Sequence, residues 1–225
     1  SIGMESSYHN TVGSFNTVMG HKAGQYMTGS FNTYLGFEAG KGGQSSAPYS
    51  SAGSNTAVGT YALQEVISGG GNVAIGERAL LKNHVGSNIV AVGYGAGYYT
   101  TGSYNTFVGK DAGRGGTTSA PYSSGTSNTA VGYQALTAFT TGHTNIAIGY
   151  QAMSAATTTH DSIAIGYQAL QYGGQDNNIA IGYQAGQNIS SARYNVIVGD
   201  SAGSALTDAN TNENAFIGNS AGRNA

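Results

Sequence analysis

One nine-residue motif recurs along the whole chain, and it constrains the fold before any other feature does. The motif is N-[T/I/V]-x-[V/I/L]-G-x-x-A-[G/L], centred on Gly3, Gly20, Gly36, Gly59, Gly76, Gly93, Gly109, Gly132, Gly149, Gly166, Gly182, Gly199 and Gly218. These glycines lie 16 or 17 residues apart, except for two intervals of 23 and a last one of 19. A unit this short cannot bury an apolar face alone, so its copies must stack. The expectation is an all-β, parallel β-solenoid, a β-roll of about 13 coils of 16–17 residues, running as a single repeat domain over residues 1–225. A coil of that length is tight for a three-sided prism and suits a flattened two-strand roll better.

A second period contains the first. Residues 32–63 read NTYLGFEAGKGGQSSAPYSSAGSNTAVGTYAL, and residues 105–136 read NTFVGKDAGRGGTTSAPYSSGTSNTAVGYQAL, an offset of 73. The same offset relates Gly20 to Gly93 and Gly76 to Gly149, so four coils form a super-repeat. The two long coils carry matched insertions, 41–54 and 114–127, which hold both prolines, Pro48 and Pro121.

Within each unit, the residue before the glycine is always apolar, and a β-branched residue stands two places earlier in nearly every copy, as in Thr17, Thr56, Ile146, Ile163 and Ile179. Alternation at period two over a short β-branched run reads as a strand with one buried face. The glycine marks a tight turn or a close backbone approach. Alanine three residues later, kept in every unit but the first, points to a thin interior. Asparagine opens most units, including Asn55, Asn72, Asn128, Asn145, Asn178 and Asn195. In the Gly93 unit it lies one residue early, as Asn88, and Ser162 replaces it in the Gly166 unit. Stacked coils would bring these amides into a structural ladder that satisfies their donors and acceptors.

Glycine supplies 37 residues without a G-x-y period, which excludes collagen. Apolar residues at fixed positions argue against disorder. Eight basic against ten acidic residues offer no electrostatic footprint for nucleic acid. No apolar run is long enough for a membrane span, and the N-terminus lacks a signal-peptide pattern. The absence of cysteine excludes a disulfide framework and thiolate metal sites. The chain opens inside a repeat and stops just after one, so it reads as a fragment of a longer protein.

Catalytic constellations are missing from the sequence. His9, His21, His84, His143 and His160 share no repeat column, and no G-x-S-x-G elbow or calcium-binding nonapeptide occurs. The chain reads as non-enzymatic, with no cofactor and no metal. Two features could carry recognition. Tyrosine follows the glycine in four successive coils, Tyr133, Tyr150, Tyr167 and Tyr183, forming either a sugar-binding strip or a stabilising stack. The insertions, with Tyr49 and Tyr122, are either receptor contacts or bulges that shield the edge of the roll. So thin an interior gains little from burial against the entropy of ordering each coil. A further apolar face buried between chains is therefore expected, most simply in a homotrimer.

The strings N-I-A-I-G-Y-Q-A-L, N-T-A-V-G-Y-Q-A-L and S-Y-N-T-F-V-G-K-D-A-G resemble shaft repeats of bacteriophage tail fibres, of the kind that end in a self-cleaving intramolecular chaperone. They are similar as well to the N-S-V-A-I-G repeats in heads of trimeric autotransporter adhesins. The resemblance covers essentially the whole chain. It implies a left-handed, trimeric roll, located in a virion tail fibre or on a cell surface, that serves host attachment through a cell-surface glycan or receptor. The longer coil and the YQA turn depart from the adhesin pattern. The leading expectation is a tail-fibre segment acting as a rigid shaft, with an adhesin head as the alternative. An ice-binding solenoid is a remote third reading, motivated by the column Thr17, Thr33, Thr56, Thr106 and Thr129, which lacks T-x-T pairs.

Overall fold

A computed structural model describes residues 1–43, 49–116, 122–206 and 212–223. Pro48 and Pro121, and the centres of both insertions, lie outside the described residues. The chain is an all-β parallel solenoid and divides into two compact units, Ser1–Asp111 and Ala112–Ala225.

In the first unit the strands are β1 (Thr17–Met19), β2 (Thr33–Leu35), β3 (Thr56–Val58), β4 (Val73–Ile75), β5 (Val90–Val92) and β6 (Thr106–Val108). Each pairs in parallel with the next, in a register that places like motif positions side by side, as in Val73↔Val90 and Ile75↔Val92. An isolated bridge between Ile2 and Met19 adds the first motif to the same ladder. The second unit repeats the plan with β7 (Thr129–Val131), β8 (Ile146–Ile148), β9 (Ile163–Ile165), β10 (Ile179–Ile181), β11 (Val196–Val198) and β12 (Ala215–Ile217). Every strand stops at the residue before the motif glycine.

That glycine has two independent reasons to be glycine. At Gly149 the backbone takes φ +131°, and a Cβ there would stand 2.3 Å from the carbonyl oxygen of Gly166 in the next coil. A side chain would thus need both a disfavoured backbone and space already occupied by main chain.

Each coil contributes one short strand rather than the two expected of a flattened roll. The opposite wall is built from turns in which residues two and four places after the glycine are left-handed: Lys22, Glu38, Tyr61 and Arg78 at φ 52–60°, and Leu63 and Leu80 at φ 52°. Alternating left-handed residues prevent extended pairing. The wall is hydrogen-bonded all the same, because the turns link coil to coil. Gly20 and Lys22 donate to the carbonyls of Ile2 and Met4 at 2.8 and 2.9 Å, and Gly24 and Tyr26 donate to those of Ala39 and Lys41 at 2.9 and 2.7 Å.

The buried face of the sheet is the one carrying the middle residue of each strand. Tyr34, Ala57, Ala74, Ala91, Phe107, Ala130, Ala147, Ala164, Ala180 and Ile197 are fully buried. The aliphatic and β-branched residues on either side, which carry the sequence periodicity, point outward. Their exposures reach 45% at Met19, 44% at Leu35, 37% at Ile148 and 38% at Ile181. The motif alanine faces inward opposite the strand and is fully buried at Ala23, Ala39, Ala62, Ala79, Ala135, Ala152 and Ala169.

Interior volume is shared between the strand centre and the residue after the motif alanine. Where the strand centre is Ala57, Ala74, Ala130, Ala147 or Ala164, that residue is Leu63, Leu80, Leu136, Met153 or Leu170, each essentially buried. Where the centre is Tyr34 or Ile197, glycine takes its place, as Gly40 or Gly203. Gly97 follows an alanine centre and has another reason: Leu80 and Phe107 of the adjoining coils fill its space, 2.6 and 3.0 Å from where its Cβ would lie. Each layer is thereby packed to a similar density, as close-packed interiors require.

Candidate functional site

The asparagine column is a buried ladder with one recurring geometry. In the first unit, Asn32 Oδ1 accepts the main-chain N–H of Asn55 at 2.9 Å, and Asn55 Oδ1 accepts that of Asn72 at 2.9 Å. The Nδ2 groups of Asn55 and Asn72 donate to the carbonyls of Gly69 and Gly86 at 3.0 and 2.9 Å. In the Gly93 coil the column position is held by buried Ile89, whose N–H donates to Asn72 Oδ1 at 3.0 Å, while Asn88 is exposed. In the second unit Asn128 Oδ1 accepts from Asn145, and Asn145 Oδ1 accepts from Ser162 N–H. The Ser162 hydroxyl then accepts from Asn178 N–H, and Asn178 Oδ1 from Asn195. Serine can stand in the column because its oxygen keeps the acceptor. Every one of these bonds holds one coil to the next.

Tyr133, Tyr150, Tyr167 and Tyr183 form a continuous stack in the second unit, with ring centroids 5.0–5.1 Å apart and planes within 15°. The faces are turned toward one another, which leaves edges and hydroxyls at the surface. A sugar that binds by lying on a ring face has little face to use here, whereas hydroxyl-to-hydroxyl contact stays open. Beside the stack runs an amide ladder: Gln151 donates to Gln134, Gln168 to Gln151 and Gln184 to Gln168, at 3.0, 3.0 and 3.2 Å.

Tyr49 and Tyr122 stand where their insertions rejoin the coil. Tyr49 is half-buried against His9 and Tyr26, with centroids 4.6 and 6.2 Å away, and the adjacent Ser50 pairs with Met27. Tyr122 is likewise half-buried, next to buried Ser123. These two tyrosines anchor the return of each insertion to the body of its unit.

A third surface was not singled out from the sequence. On the turn wall of the first unit, two cavities of about 400 and 480 Å³ meet at Gln64 and Glu65. Tyr26 and Lys41 line one; Glu38, Tyr61, Arg78, Lys82 and Tyr98 line the other. Ion pairs tie the polar groups together: Lys41 to Glu38 at 3.2 Å, Arg78 to Glu77 at 3.6 Å, Lys82 to Glu65, and His84 to Glu65 at 3.2 Å. Gln64 also donates to Glu38. One signal in the sequence could have found this surface. At the 73-residue offset, Tyr61, Gln64, Glu65, Arg78, Lys82 and Tyr98 become Gln134, Thr137, Ala138, Gln151, Ala155 and Gln171.

Buried Tyr34 carries the one clearly displaced ionisation. Burial pushes its phenol far above the ordinary value of 10.0, with a hydrogen bond to the Asn55 side chain opposing the shift. The hydroxyl donates to Asn32 Oδ1 at 3.1 Å, so the group locks the asparagine ladder to the interior.

Among the described residues, no group of three or more His, Asp or Glu side chains comes together as a metal site. The histidines do meet in one pair, His143 and His160, stacked with centroids 3.9 Å apart. No helix among the described residues is long and apolar enough to cross a membrane. Comparison with protein-family profiles, with curated proteins and with solved structures finds no match.

Proposed function

We propose that the chain is a non-catalytic structural and adhesive fibre segment, that it assembles as a homotrimer through the outer face of its strands, and that it belongs to a phage tail fibre. The observation that carries this reading is the outward pair of columns on each sheet. In the second unit these are Thr129, Ile146, Ile163, Ile179 and Val196, beside Val131, Ile148, Ile165, Ile181 and Val198. Ile146, Ile148, Ile165, Ile181 and Val196 are 36–39% exposed in the single chain. A ridge of β-branched side chains at strand spacing is the type of surface that buries against a copy of itself, and contiguous exposed apolar patches mark interaction sites. Such a trimer covers the ridge and leaves the turn walls outward, free to meet a cell-surface glycan or receptor. A virion or cell-surface location and a shaft or spacer role belong to the same reading.

Light scattering on the purified chain tests it. A particle of three times the 22.7 kDa chain mass is expected. A stable, folded monomer at micromolar concentration would refute the assembly. Attachment to host cells by Tyr49→Ala and Tyr122→Ala variants tests the insertions separately; unchanged attachment leaves both as anchors alone.

A further inference from the structure

Resting on the adhesive part of that reading, we propose that the groove formed by the two cavities joined at Gln64 and Glu65 is a binding site for a neutral oligosaccharide. The polar groups are charge-balanced. Lys41, Arg78, Lys82 and His84 each have a carboxylate neighbour in Glu38, Glu77 or Glu65. An anionic ligand would find its cations already paired, and nucleic acid would meet no unbalanced basic cluster. An apolar ligand would meet walls dominated by carboxylate, amide and cationic groups. A sugar fits both features. Its hydroxyls donate and accept at once, which suits alternating acceptors (Glu38, Glu65) and donors (Lys41, Arg78, Lys82), with Gln64 able to do either. Its apolar faces suit the half-buried rings of Tyr26, Tyr61 and Tyr98 along the same walls.

The length is appropriate as well. The lining residues come from four successive coils, a span of about 14 Å at roughly 4.8 Å per coil, enough for a short run of sugars. Cavities of about 400 and 480 Å³ fall within the range of small-molecule sites.

The super-repeat supplies an internal control. The second copy builds the same turns with Gln134, Thr137, Ala138, Gln151, Ala155 and Gln171. There the glutamines pair along the coils in the ladder of Gln134, Gln151 and Gln168. A coil therefore closes without tyrosine, arginine or glutamate at these positions. In the first copy those side chains do something that coil stacking does not demand.

The test is binding of the labelled full chain to immobilised oligomers of glucose, galactose, mannose and N-acetylglucosamine, alongside sialylated and uronic-acid oligomers. At least one neutral series is expected to bind. Tyr61→Ala and Gln64→Ala should each weaken that binding about tenfold or more, while Tyr150→Ala on the second unit leaves it unchanged. Added salt should have little effect, since no net charge is recognised. Far-UV circular dichroism checks each fold; should Tyr61→Ala misfold, Gln64→Ala carries the test. Failure of every neutral oligomer to bind overturns the proposal, as does binding insensitive to the groove variants, or binding confined to acidic oligomers and lost in salt. Light scattering keeps the two readings apart. A trimer that binds no sugar removes the groove and leaves the fibre, whereas a monomer that binds sugar through Tyr61 does the reverse.

Discussion

Tyr34 and Gly40 occupy one space: a Cβ on Gly40 would stand 2.5 Å from three carbons of the Tyr34 ring. The coil around Ala57 and Leu63 fills the equivalent space the other way round, with the large residue on the turn wall at φ 52°. The two arrangements should be interchangeable. Tyr34→Ala alone is expected to cost about 3–5 kcal/mol by leaving a cavity, and Gly40→Leu alone to fail through overpacking. The double variant should recover most of the loss. Denaturant midpoints in a double-mutant cycle measure this, and simple additivity would show that the two sites do not share volume.

The asparagine column should tolerate serine and reject alanine. Asn72→Ala strands the buried N–H of Ile89, which donates to Asn72 Oδ1, and a loss of about 1–3 kcal/mol follows. Asn72→Ser should keep part of that stability, as Ser162 does in its own coil. Equal losses for the two variants would mean that the ladder acts through shape and not through its acceptors.

Position within the tyrosine stack should set the cost of removing a ring. Tyr150 has stacked neighbours on both sides, Tyr133 and Tyr167, whereas Tyr183 stacks on Tyr167. At about 0.5–1.5 kcal/mol per aromatic pair, Tyr150→Ala should destabilise roughly twice as much as Tyr183→Ala. Urea titration of both variants decides it; equal effects would reduce the stack to independent side chains.

Alkaline pH should weaken the fold through Tyr34. Its phenol holds a proton in the folded chain well above the pH at which an unfolded tyrosine releases one. Below an ordinary tyrosine value of about 10 both states are protonated and this stability is intact. As pH rises past that point the unfolded chain binds fewer protons than the folded one, so stability falls. Tyr34→Phe removes the group and should flatten the decline above that pH in thermal unfolding. A slope identical to the parent would assign alkaline sensitivity to other groups.

Much of the architecture was legible because the glycines mark it. Each strand ends one residue before its motif glycine, from Met19 before Gly20 to Ile217 before Gly218. Which face turns inward was not legible. The sequence periodicity is strongest in residues such as Ile146 and Ile148, which lie outside, while the interior position between them is the unassertive Ala147. A sheet face bare in one chain carries the same composition as a core, so pattern alone cannot separate them. The second strand expected of a flattened roll is absent because φ near +55° at Glu38, Arg78 and their equivalents turns the chain at every other residue. The groove was hidden for a different reason. Tyr61, Arg78 and Tyr98 are 17 and 20 residues apart, so no local motif joins them until the coils stack.

The coil-to-coil bonding has a genetic corollary. Main-chain hydrogen bonds join each coil to the one before and the one after, so every interior coil offers its neighbours nearly the same surface. The near-identical stretches around Asn55–Ala62 and Asn128–Ala135 are natural points for unequal crossing-over. An exchange there inserts or deletes one whole block of 73 residues and rejoins surfaces that already match. Block number can therefore drift between lineages while the fold stays intact, and with it the number of grooves that a chain displays.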